Sequence, residues 1–187
     1  MLRIGGVTRL SASDYPDKLA AVLYCQGCAW RCSYCHNTHL LEKKSAHEIP
    51  WADVLAFLKK RQGLLDAIMF SGGEPTLQPA LGQAMREVKA LGYRVGLHTA
   101  GIVPERLKQL LPLVDWVSMD LKAPFEQHER ITQVPGSGTR AQRSMELLLA
   151  SGVACEFHTI AAVPGETRAQ PHDLSDDEQR RRSGLFA

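Results

Sequence analysis

No apolar run in this 187-residue sequence comes near the roughly 18 residues that a membrane-spanning helix requires. The opening Met1-Leu2-Arg3-Ile4-Gly5-Gly6 lacks the charged, then apolar, then small-residue order of a secretory signal. Charge of one sign is missing too: 22 Lys and Arg stand against 20 Asp and Glu, a net +2. That balance gives no electrostatic reason to expect a nucleic-acid partner. No segment recurs at a fixed period, which argues against a solenoid. Cysteine is scarce, five residues in all, but it is not scattered. Cys25, Cys28, Cys32 and Cys35 fall within eleven residues, and Cys155 stands apart. An odd, crowded set with no secretory signal argues against a disulfide framework and for metal or redox chemistry. The expectation is a soluble cytoplasmic protein with no membrane and no nucleic-acid partner.

The apolar content suffices for one packed domain. Leu, Ile, Val and Phe make up 46 of the 187 residues, above the ~20% below which chains tend to stay disordered. The first 18 residues carry turn punctuation at Gly5-Gly6 and Tyr15-Pro16-Asp17 and read as a small cap or hairpin. Leu19 to Tyr24 is an apolar run of strand length that delivers the chain into the cysteines. Short strands are then expected at Ala67 to Phe70, Arg94 to His98, Asp115 to Met119 and Ala154 to His158. Between them lie helical patterns at Trp51 to Lys60, Ala80 to Leu91, Pro104 to Leu111 and Thr139 to Ala150. Apolar strands alternating with helices imply an α/β fold with a parallel sheet and right-handed crossovers, as an open sheet or a partial barrel. The core is expected over residues 1–163, followed by a polar tail over residues 164–187. Within that tail, Thr167 to Arg182 holds Ser175-Asp-Asp-Glu178 and Arg180-Arg-Arg182 but only Leu174 as a large apolar residue.

Cys28-Ala-Trp-Arg-Cys32-Ser-Tyr-Cys35 spaces three thiols as C-x3-C-x2-C. A loop of this kind brings three sulfurs round one inorganic centre, and both iron–sulfur clusters and zinc are held by thiolates, usually four. Spacing alone leaves three readings open. The site is an open three-cysteine centre, or it is closed by Cys25, His36 or His39, or the cysteines are incidental.

Other residues carry a resemblance. Cys28-x3-Cys32-x2-Cys35 with Tyr34 before the last cysteine resembles the signature of the radical S-adenosylmethionine (SAM) superfamily. Phe70-Ser-Gly-Gly-Glu-Pro75 follows the next strand, as the glycine-rich motif of that superfamily does. Asp14-Tyr-Pro-Asp-Lys18, Cys25-Gln-Gly-Cys28, Cys35-His-Asn37, His98-Thr-Ala-Gly101 and Trp116-Val-Ser-Met-Asp-Leu-Lys-Ala-Pro124 extend the likeness. Together they resemble the anaerobic ribonucleoside-triphosphate reductase activating proteins, a branch of the glycyl-radical activases, from about Leu2 to His158.

The resemblance implies a radical SAM type of partial (β/α) barrel that lacks its last strand and helix unit. It implies a [4Fe–4S] cluster on Cys28, Cys32 and Cys35, with SAM chelating the iron that no side chain holds. Cys25 is then non-ligating and Cys155 a core thiol. Gly72 and Gly73 would let the methionine part of SAM approach closely, and Glu74 would accept from its amino group. Lys122 would neutralise its carboxylate, Asp120 and Thr99 would line the same pocket, and Tyr34 would pack near the adenine. An electron donor would reduce the cluster, and the 5′-deoxyadenosyl radical would take a hydrogen from a glycine of a partner reductase, a protein substrate. The alternatives are a radical SAM enzyme with another substrate and a non-catalytic metal- or cluster-binding relative. Two positions depart from the related activases: His98 stands where they tend to have Asp, and His158 where an Arg aimed at SAM is common.

Overall fold

The computed structural model describes residues 1–159; the expected boundary at 163 and the polar tail lie outside the described residues. One sheet of six strands runs in the order β1 (Ile4–Ser11), β2 (Ala20–Cys25), β3 (Ala67–Gly72), β4 (Arg94–Thr99), β5 (Trp116–Leu121) and β6 (Ala154–Thr159). Strands β2 to β6 pair in parallel, each neighbour in the sheet being the next strand in sequence. The helices α1 (Trp51–Lys60), α2 (Leu81–Ala90), α3 (Pro104–Leu110), α4 (His128–Thr132) and α5 (Ser137–Ser151) lie in the connections. Among the described residues the sheet does not close on itself. All five expected parallel strands are present.

Parallel strands covered on both faces read as continuous apolar runs, which is why Ala20–Leu23 and Ala67–Phe70 are wholly buried. Their side chains divide by alternation. Ala21, Leu23, Ile68, Phe70, Val95, Leu97, Val117 and Met119 enter the large core shared with the helices. Ala20, Val22, Ala67, Met69 and Trp116 line the opposite, inner face, where Tyr15 packs its ring 5.3 Å from that of Trp116. Those residues form an apolar floor. One register step pair further along, the inner face turns polar with Tyr24, Ser71, His98, Ser118 and Glu156 in one row across five strands. The C-terminal end of a parallel sheet is where α/β proteins place ligands, and the inner face is polar on that side.

Of cap and hairpin, the N-terminal residues form the hairpin: β1 joins the sheet antiparallel to β2, with Val7 opposite Leu23 and Thr8 opposite Val22. In addition, the long connection after β5 contains the five-residue α4. At the other side, β6 pairs with β5 alone among the described residues, and its side chains are exposed or half-buried. No helix among the described residues is long and apolar enough to cross a membrane.

The end of β3 is the tightest point. Gly72 has φ +110°, a region that disfavours side chains, and a Cβ there would run into the backbone of Cys25, with the carbonyl oxygen at 2.7 Å. Gly72→Ala should therefore cost at least about 3 kcal/mol, combining backbone strain with a clash against main chain. Urea unfolding of the two proteins checks this; an unchanged midpoint would show that the turn relaxes freely.

Candidate functional site

The register of β2 and β3 continues past their last residues. Gly73 N donates to Cys25 O at 2.9 Å and Glu74 N donates to Gly27 O at 2.9 Å. The glycine turn is thus zipped to the base of the cysteine loop, and a Cβ on Gly73 would strike the Gly27 carbonyl. The loop's base is closed from the other side by its own return. Gly27 N donates to Leu40 O at 2.8 Å and Cys28 N to Leu41 O at 3.1 Å. The buried Gln26 amide donates to His39 O and Glu42 O, at 3.0 and 2.8 Å.

Glu74 has no exposed surface. Its Oε1 accepts from Thr76 N, Thr76 Oγ1 and Thr99 Oγ1, the last at 2.7 Å, and its Oε2 accepts from Ala100 N at 2.9 Å. Burial pushes the carboxyl above the usual range and these donors pull it back. Glu74 and Thr99, each expected in the pocket, are thus joined to one another, and the carboxylate pins the end of β4 to the end of β3. Gly101 N in turn donates to Thr99 Oγ1 at 3.0 Å.

Cys28, Cys32 and Cys35 are half-buried thiols in one loop. Burial raises the Cys28 thiol to about 11, and the negative charge of Glu74 and its neighbours Cys32 and Cys35 add to the rise. Burial also raises Cys32, with the Lys122 ammonium opposing it. Cys28 therefore feels Cys32 and Cys35, Cys32 feels Cys35, and the Asp120–Lys122 pair acts on Cys32. Lys122 Nζ donates to Asp120 Oδ2 at 2.7 Å, the lysine largely covered and the aspartate more open. Tyr34 donates through Oη to Lys122 O at 2.9 Å, and burial raises its phenol. Cys25 is fully buried at the end of β2, where burial raises its thiol far above the ordinary range. Cys155 on β6 is half-buried against the core.

Three half-buried thiols in one loop are the kind of donor that iron–sulfur clusters take. Among the described residues no three His, Cys, Asp or Glu side chains are grouped to hold a single metal ion. His36 and His39 are exposed on the loop. The chain matches the model of the radical SAM superfamily over residues 22–177. It belongs to that superfamily. Radical SAM proteins use a [4Fe–4S] cluster and SAM. The chain is 35% identical over 140 residues to a Methanocaldococcus jannaschii protein whose name assigns it to the glycyl-radical enzyme activating enzymes, covering 72% of this chain and 56% of that one. It is 31% identical over 127 residues to the pyruvate formate-lyase-activating enzyme of Clostridium pasteurianum, covering 65% and 53%. Streptococcus suis SuiB bound to S-adenosylmethionine superimposes with a TM-score of 0.56 at 14% identity, over 86% of this chain and 35% of that one, a likeness of fold. The chain spans about half the length of the curated relatives it matches.

Several residues round this candidate site were invisible to sequence reasoning. Thr76 and Ala100 matter only as donors to Glu74. Gln78 binds Arg3 N and O and Gln26 O, tying β1 to the loop's base. His98, noted only as a departure, lies on the inner face with Nδ1 3.3 Å from Ser71 Oγ, and burial lowers its pKa. His158, the other departure, pairs with Glu156 at 2.6 Å on β6, both side chains exposed. A polar residue one before a strand's end, at the inner-face register, is the one signal that would have flagged Ser71 and His98.

Cys32→Ala should abolish cluster loading, because two thiolates cannot hold the cube, whereas Cys25→Ala should load fully at some cost in stability. Iron and acid-labile sulfide per chain after anaerobic reconstitution decide it; equal loss from both would reassign the ligands.

Proposed function

We propose that this protein is a glycyl-radical activase whose partner is an anaerobic ribonucleoside-triphosphate reductase. The observation that carries the reading is the zip between the three-thiol loop and the Gly72-Gly73-Glu74 turn, at the C-terminal edge of a parallel sheet. It sets a cluster-binding loop and a side-chain-free cradle against each other. The names of two matched relatives support the activase class, and the motifs from Asp14 to Pro124 that resemble reductase activators support the partner.

Cys28, Cys32 and Cys35 hold the [4Fe–4S] cluster, giving up their thiol protons as they do so. The Lys122 ammonium eases that loss at Cys32. When bound, the cluster and SAM supply one-electron reductive cleavage of the sulfonium and removal of a hydrogen atom from a glycine Cα. The chain's own residues position and shield. Gly72 and Gly73 leave room for the methionine end of SAM. Lys122, held ready on Asp120, meets the SAM carboxylate with a charge-assisted hydrogen bond. Glu74 holds the cradle's shape, and Oε2, which takes a single donor, is the oxygen with capacity left for the SAM amino group. Thr99 supports Glu74, and Tyr34 flanks the adenine side while its hydroxyl fixes the Lys122 backbone. The polar inner face bearing Ser71, His98 and Ser118 receives the glycine-bearing loop of the partner. An external electron donor completes the system.

The reconstituted protein, reduced with dithionite in the presence of SAM, should release methionine and 5′-deoxyadenosine in equal amounts. Adding an anaerobic ribonucleoside-triphosphate reductase should give the doublet of a glycyl radical in its electron paramagnetic resonance (EPR) spectrum. Cleavage without that doublet would transfer the activity to another substrate. No cleavage from a fully loaded cluster would remove the catalytic reading altogether.

A further inference from the structure

The far side of the cysteine loop is gripped by a segment that the preceding reading leaves without a role. Arg31 N donates to Thr132 O at 2.9 Å and Ser33 N donates to Ile131 O at 3.2 Å. Both acceptors lie in α4, the short helix between β5 and α5. Trp30, between the first two loop cysteines, is almost completely buried, and its ring meets that of His128 edge to face at 4.9 Å. His128 is itself fully buried. Its Nδ1 lies 3.1 Å from Ser137 Oγ, which is 2.7 Å from Thr132 Oγ1, and Thr132 Oγ1 reaches back to His128 O at 3.0 Å. Gly138 lets the segment fold this tightly, since a Cβ there would collide with Phe125 O.

Two atoms in this cluster are out of balance. Trp30 Nε1 and His128 Nε2 are buried without a hydrogen-bond partner among the described residues. An unpaired buried polar group costs roughly 1–3 kcal/mol, and two adjacent ones make this a poor arrangement for stability alone. Phenylalanine or leucine would fill the same space without that cost. Local rules broken without local gain mark positions kept for another purpose. Burial and the Lys122 charge both lower the His128 pKa, so the ring stays neutral and packs as a ring.

We propose that His128 is a positioning residue that latches the cysteine loop, through Trp30 and α4, in the geometry that accepts the cluster. The latch also links loop to pocket. The segment that carries His128 begins at Lys122, whose carbonyl receives the Tyr34 hydroxyl from the same loop. A single connection of the chain therefore sets the cysteine loop against the lysine proposed to meet SAM. The inference rests on the assignment of Cys28, Cys32 and Cys35 as cluster ligands.

The test compares wild type, His128→Ala, the volume-preserving His128→Gln should the alanine variant fail to fold, and Leu148→Ala. Leu148 is a buried α5 residue, and its truncation lowers stability without touching the loop. Backbone amide exchange in the cluster-free protein reads the latch directly. Iron loading and the change in the reduced cluster's EPR signal on adding SAM read its consequence. In the His128 variants, the Arg31 and Ser33 amides should exchange at least tenfold faster, loading should fall at least threefold, and the SAM-induced change should broaden or vanish. Leu148→Ala, once folded, should match wild type in all three. His128 variants that exchange, load and respond like wild type would overturn the latch. Should wild type itself take up no iron, the ligand assignment falls and the exchange rates alone decide whether the latch exists.

Discussion

A carboxylate with no exposed surface holds the working edge of this protein together. Glu74 draws donors from Thr76 behind it and from Thr99 and Ala100 at the end of β4, while its own N–H reaches across to Gly27. Burying a charge is expensive unless it is hydrogen-bonded, and here protein donors supply three bonds to Oε1 and one to Oε2. The result is a fixed point where three strand ends, β2, β3 and β4, meet. Everything proposed for the cluster and for SAM is hung from it: the thiol loop on one side, the glycine cradle at the centre, and the Asp120–Lys122 pair beyond.

The cysteine loop is restrained at both ends by different means. At its base, main-chain hydrogen bonds to the glycine turn and to residues 40–41 continue the sheet's own pairing. At its tip, α4 supplies backbone acceptors and a buried aromatic contact. Between these restraints the three thiols stay half-buried, and burial raises Cys28 to about 11 and Cys32 above its ordinary value. Metal capture must then displace protons, which a nearby ammonium such as Lys122 assists. Cys25, three residues before Cys28 at the end of β2, sits inside the core and beyond that influence, which separates it from the three loop thiols despite the matching spacing.

The strands and the thiols were legible in the sequence because their signals are local. Ala20–Leu23 and Ala67–Phe70 are buried on both faces, so each reads as an unbroken apolar run. The strand Ile4–Ser11 was not legible as part of the sheet: it carries Gly5, Gly6 and half-exposed polar residues, and its antiparallel partner is fixed by tertiary packing. The helix at His128–Thr132 is a single turn of mostly polar residues with no period to detect. In the site, C-x3-C-x2-C and Gly-Gly-Glu stand out as short motifs. The true partners of Glu74 lie up to 26 residues away, and those of Gln78 lie 52 and 75 away. Nothing in a single sequence announces such pairs. Sequence reasoning named Glu74 and Thr99 as separate pocket residues, and the structure joins them to one another.

The central claim is that three cysteines hold four irons and leave one iron for SAM. Mössbauer spectroscopy of the protein reconstituted with iron-57, before and after adding SAM, tests it most directly. The account predicts that one quarter of the iron signal moves on SAM addition while the rest stays in place. A spectrum indifferent to SAM, or a centre that proves to be zinc, would contradict it.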